Sequence, residues 1–164
     1  MKRIFFHTLF LVMIASHSAP HALSAENSSA GALEVGKKDL CPVCGMFVYK
    51  YPNWVAQIIF EDKTYAFFDG AKDMFKYLFG LKKYNPKKKV ENIVAVWVTD
   101  YYTTKPIDGR EAYYVVGSDV LGPMGRELIP HQNEKAAVSF SKDHGGQRIL
   151  RFKEIDSNLL ESLR

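Results

Sequence analysis

The sequence predicts an α+β protein: two similar ββαβ units packed together, preceded by a flexible amino-terminal leader and closed by a short carboxy-terminal helix. Three observations point there. Stretches such as "WVAQIIF" (54–60) and "NIVAVWVTDYY" (92–102) have the length and β-branched, aromatic content of strands. "DGAKDMFKYLFG" (69–80) and "NEKAAVSFSKDHGG" (133–146) set apolar residues at helical spacing between a capping residue and a terminal glycine. The order strand, strand, helix, strand then occurs twice along the chain.

From the amino terminus, Lys2-Arg3 followed by "IFFHTLFLVMIA" (4–15) reads as the charged and apolar regions of a secretory signal. The apolar run is short of the roughly 20 residues a membrane span needs. Small residues permit cleavage after Ser24 or Ala25, so residues 1–25 are expected to be removed and the mature protein to lie in the periplasm. No cysteine sits at that junction for lipid attachment. Residues 26–38, small and polar, read as a flexible leader. The first unit is expected over 39–102: a hairpin of 54–60 and "TYAFFD" (64–69), a helix with Asp69 as N-cap and Gly80 as stop, and the apolar strand 92–102. The second is expected over 103–164: strands "EAYYVVG" (111–117) and "GRELIPH" (125–131), a helix capped by Asn133, the strand "QRILRFKEI" (147–155), and a last short helix.

Hydrophobic residues make up 47% of the chain and aromatics 13%, ample for a packed interior. The formal charge of +4 is weak, and Lys2 and Arg3 account for half of it, so nucleic acid is not an expected partner. The lysines at 82, 83 and 87–89 read as a solvated loop. No carboxylate pair, nucleophile–base constellation or phosphate loop stands out, and no enzyme is expected.

The chemistry gathers in "CPVCGM", which holds both cysteines of the chain, Cys41 and Cys44, with Met46 beside them. Covalent haem would need a histidine after the second cysteine, where Gly45 stands. A thioredoxin-type dithiol opens a helix whose dipole lowers the first thiol's pKa, but here turn and strand residues follow. A thiol–disulfide oxidoreductase using the Cys41–Cys44 pair is the alternative function. Zinc usually takes two ligand pairs, and the second pair is missing from the sequence; His131 and His144 stand at opposite ends of one helix, where His144 reads as a cap and His131 as a ligand candidate. Cu(I) prefers thiolate and thioether sulfur in low coordination, and Cys41, Cys44 and Met46 supply both in one turn, with Gly45 letting Met46 reach back. Met124, between Pro123 and Gly125, is either a further thioether or filler, whereas Met74 belongs to a helix face and a core. Tyr49, Tyr51 and Trp54 either shield a metal or pack.

"CPVCGM", "YPNWVAQIIF", "YAFFDGAKDMFKYL", "GPMGRELIP" and "HGGQRILRF", in that order over nearly the whole mature chain, resemble the NosL family of copper-binding accessory proteins for nitrous oxide reductase maturation. The resemblance implies a Cu(I) chaperone outside the cytoplasmic membrane, delivering to a copper-accepting periplasmic enzyme or its assembly machinery. It implies Cys44, Met46 and Met124 as ligands, with Cys41 an additional thiol. Many relatives are lipoproteins, which this chain, lacking a lipid-attachment cysteine, does not match. Relatives also use a histidine near the site; here any nitrogen ligand would come from His131 or His144. The first half also looks like YHS and TRASH metal modules, which carry a second cysteine pair after the hairpin, where this chain has Phe68 and Asp69.

Overall fold

The computed structural model describes residues 31–163, so the expected signal peptide lies outside the described residues. Two antiparallel sheets form the frame. In the first, β1 (Ala56–Phe60) lies between β2 (Tyr65–Phe68) and β3 (Ile93–Thr99), and β4 (Pro106–Asp108) adds to the outer edge of β3. Ile58 faces Ala66 on one side and Val96 on the other. Between β2 and β3 run helix α1 (Ala71–Phe79) and the single turn α2 (Leu81–Tyr84). In the second sheet, β5 (Tyr113–Val116) lies between β8 (Ile129–His131) and β9 (Arg148–Arg151), with helix α3 (Glu134–Asp143) joining β8 to β9. Each sheet thus places its first strand in the middle and its helix between the second and third. A two-residue ladder, β6 (Leu121–Gly122) with β7 (Gly125–Arg126), makes a small hairpin ahead of β8, and α4 (Ser157–Ser162) closes the chain.

One core serves both sheets. Met74, Phe75, Tyr77 and Leu78 of α1 are buried against β1 and β2, at the helical spacing the sequence shows. Phe75 meets Tyr114 of β5 edge-on at 5.3 Å and Phe152 at 4.9 Å, which brings the second sheet into the same interior. Strand β5 is covered on both faces. Tyr114 and Val116 enter the main core, while Val115 joins Ile129, Ala137 and Phe140 in a smaller cluster under α3. Pro130 sits in the edge strand β8, where its missing donor costs no ladder bond. Buried Asp100 joins the two sheets, accepting from Gln132 N at 2.7 Å and from Thr103 N and Oγ1, each at 2.8 Å.

Several local expectations are corrected. Asp69 does not cap α1: the N-cap is Gly70, which has no side chain, and the carboxylate that receives the Lys72 N–H at 2.5 Å belongs to Glu127, from the other half of the chain. The stretch 125–131 is two strands, because Glu127 and Leu128 turn inward between them and are buried. Strand 92–102 stops at Thr99, where Asp100 bends the chain, and Phe79 is half exposed rather than part of the buried face. Strands β4 and β6 and turn α2, too short to show periodicity, were not anticipated. Asn133 caps α3 as expected, accepting from Ala136 N at 3.0 Å. Of the expected leader, Leu33 exchanges two 2.9 Å hydrogen bonds with the Gln57 side chain, and Val35 packs on the core.

Candidate metal centre

Residues 39–48 fold into a tight hairpin. Leu40 bridges Phe47, Cys41 N donates to Met46 O at 2.9 Å, and Gly45 N donates to Cys41 O at 2.8 Å. Gly45 makes the turn at φ +76°, a left-handed conformation that suits glycine. The turn leaves the two sulfurs within 4.8 Å of one another. The hairpin leans on the start of α1, where Asp69 and Asp73, four residues apart, straddle the helix N-terminus.

There the structure brings four donors together. One ligand atom each from Cys41, Cys44, Asp69 and Asp73 lies within 4.8 Å of every other. The Cys44 thiol donates to Asp69 Oδ1 at 3.2 Å and the Cys41 thiol to Asp73 Oδ2 at 3.6 Å. Asp73 Oδ1 also accepts from Lys76 Nζ at 3.1 Å. Asp69 Oδ2 is buried and has no hydrogen-bond partner. An unsatisfied buried acceptor of this kind costs about 1–3 kcal/mol, and a cation held between the two thiols and the two carboxylates would satisfy it. The residues therefore fit a metal ion.

Burial governs the thiols. Cys41, 1% exposed, has its pKa pushed well above the ordinary thiol range, and burial raises Cys44 to about 11. Both are protonated at neutral pH, and the hairpin runs into a short 3-10 turn (Val48–Lys50) rather than a helix. A nucleophilic dithiol needs the reverse, an accessible sulfur with a lowered pKa, and this geometry counts against the oxidoreductase alternative.

The other sequence candidates divide. Met46 belongs to the cysteine hairpin and is half-buried. Met124 sits at the tip of the β6–β7 hairpin, 43% exposed, with its carbonyl accepting from Lys72 Nζ of α1 at 2.8 Å. Neither His131 nor His144 belongs to the thiol–carboxylate cluster. His144 ends α3, stacks on Phe140 at 4.4 Å and pairs with Asp119 at 3.0 Å. Trp54 packs against the cluster under α3, and Tyr49 lies exposed with its edge to Phe47. Asp69 and Asp73 are the site residues that sequence reasoning missed. The signal was present: the YHS and TRASH likeness puts ligands after the hairpin, where Asp69 stands. The case against zinc rested on a missing second ligand pair, and these two carboxylates are such a pair.

His131 is wholly buried among Tyr101, Tyr102 and Phe140, with neither ring nitrogen bonded. Burial lowers its pKa to about 4, against an ordinary value of 6.5. A base whose pKa falls on folding stabilises the folded state above its unfolded pKa. That stability is lost as pH falls from 6.5 through 4, amounting to roughly 3 kcal/mol for such a shift. In denaturant titrations, His131→Leu should therefore lose less stability than the wild type between pH 6.5 and 4. Parallel curves for the two proteins would contradict the assignment.

Comparison with known proteins agrees with this architecture. A family model described as NosL matches residues 32–160. The copper-binding lipoprotein NosL of Stutzerimonas stutzeri is 32% identical over 131 residues, covering 75% of this chain and 65% of that protein. The chain thus spans just under two thirds of that relative's length. The crystal structure of the copper chaperone NosL from Shewanella denitrificans superposes with a TM-score of 0.66 at 26% identity, covering 78% of this chain and 97% of that one. Among the described residues no helix is long and apolar enough to cross a membrane. The hairpin, the paired antiparallel sheets and the family match over residues 32–160 lead to one assignment: the chain belongs to the NosL family.

Proposed function

We propose that this chain is an exported, periplasmic copper chaperone that takes up Cu(I) at the cysteine hairpin and passes it on by ligand exchange. The observation that carries the reading is the convergence of Cys41 and Cys44 with Asp69 and Asp73 around an unsatisfied buried carboxylate oxygen. Cys44, the more accessible thiol, is the principal thiolate and Cys41 the second. Met46 and Met124 supply thioethers, which favour Cu(I) over harder ions. Asp69 and Asp73 hold the thiols in place and receive their hydrogen bonds before the metal arrives. The acceptor is a copper-accepting periplasmic enzyme or its assembly machinery, with nitrous oxide reductase the acceptor that the resemblance implies. Low coordination suits the transfer, since an incoming ligand can attach before an old one leaves. The names of the two relatives, one copper-binding and one a copper chaperone, support the choice of metal.

The test is an anaerobic Cu(I) titration of the reduced protein against a chromophoric competitor, with Zn(II) titrated in parallel. The expected result is stoichiometric Cu(I) binding that is lost on alkylating the thiols. Because each thiol gives up a proton on ligation and Cys44 titrates only at about 11, apparent affinity should rise about tenfold per pH unit for each thiol deprotonated. Failure to bind Cu(I), or binding that survives alkylation of both thiols, would sink the proposal.

A further inference from the structure

We infer that Lys72 is a positioning residue that sets the Met124 thioether relative to the cysteine hairpin. The inference rests on the reading of Met124 as a ligand. Met124 is 43% exposed, so packing does not hold its side chain in place. Its hairpin is a ladder of only two residue pairs, Leu121 with Arg126 and Gly122 with Gly125, too small to be stable by itself. Something outside the hairpin must fix where its tip lies.

That anchor is the first turn of α1. Lys72 is 2% exposed, and burying an ammonium group is expensive unless its donors are satisfied. The Lys72 ammonium spends its donors on backbone carbonyls: Arg126 O at 2.5 Å, Met124 O at 2.8 Å and Leu163 O at 3.3 Å. Two of these flank Gly125 at the hairpin tip. The Lys72 amide makes a second attachment, donating to Glu127 Oε1 at 2.5 Å, and that carboxylate also accepts from Leu128 N at 2.9 Å. Glu127 lies so close to Gly70 that a Cβ there would collide with it. Side chain and backbone of one residue thus grip the segment 124–127 from the helix turn whose neighbouring positions, Asp69 and Asp73, receive the thiol hydrogen bonds. An apolar residue at 72 would fill the space equally well but would leave the tip without a fixed position. The loop carrying the thioether and the turn facing the thiols are one mechanical unit.

A mutant cycle tests this. Cu(I) affinity is measured by probe competition for the wild type, Lys72→Leu, Met124→Leu and the double variant, with thermal unfolding of each apoprotein alongside. Lys72→Leu should weaken Cu(I) binding about tenfold in the wild-type background and leave affinity unchanged when Met124 is already leucine. Copper X-ray absorption should show one sulfur neighbour fewer in both single variants. Should the leucine variant not fold, Lys72→Gln, whose shorter amide cannot serve all three carbonyls that the ammonium holds, takes its place in the cycle. Equal weakening in both backgrounds, or weaker binding with an unchanged sulfur count, would overturn the positioning role. A Met124→Leu protein that binds as tightly as the wild type would instead overturn the assignment of Met124 itself.

Discussion

Replacing Cys44 by serine is expected to abolish tight Cu(I) binding while the fold survives. A serine hydroxyl is a poor ligand for a soft ion, and with Cys41 almost fully buried no other accessible thiolate can take over. The hydroxyl still donates to Asp69, so the contact that the thiol makes at 3.2 Å is kept in kind and unfolding should change little. The loss should exceed the roughly 100-fold that changing a group behind the ligands costs. Competition titration reads the affinity, and thermal unfolding of the apoprotein reads the fold. Wild-type Cu(I) affinity in Cys44→Ser would mean that the metal binds elsewhere.

The second large effect falls on Glu127, a residue outside the thiol–carboxylate cluster. Its carboxylate closes the N-terminus of α1 from the far half of the chain and satisfies the buried Lys72 and Leu128 amides. Glu127→Ala removes a helix cap, leaves two donors without partners and opens a void against Gly70. The combined cost is about 3 kcal/mol, enough to lower Tm by roughly 10 °C in a protein of this size. Burial raises the Glu127 pKa to about 7, from an ordinary 4.5. An acid whose pKa rises on folding contributes most to stability below its unfolded pKa, and the contribution fades as pH climbs through 7. The gap in Tm between wild type and Glu127→Ala should accordingly be wider at pH 5 than at pH 8. A Tm within 2 °C of wild type at both pH values would show that the cap is dispensable.

Periodicity made most of the frame legible. The strands at 56–60 and 93–99 and the helices at 71–79 and 134–143 are long enough to repeat their apolar spacing, whereas the placing of each sheet's first strand between two later ones is a matter of long-range pairing that no local period reports. Elements of two or three residues, such as β4 and β6, carry no period and could not be read. The cysteine motif announced itself because both thiols lie three residues apart. Asp69 escaped because its local context, an aspartate after a strand and before an apolar helix, is also the signature of an N-cap. Local pattern reports what a residue does for its own helix. It cannot report that a glutamate 58 positions later has taken that role and left Asp69 to face a thiol. Glu127 and Lys72 were silent for the same reason: a lone charge looks like surface until tertiary packing buries it.

The cross-chain cap also imposes a timetable on biogenesis. Both cysteines leave the ribosome well before residue 127 does. Until then α1 has no partner at its first turn and Lys72 has no hairpin to hold, so the thiols exist without the frame that orders their neighbours. A molecule truncated before the β6–β7 hairpin would keep the whole motif and lack the means to arrange it.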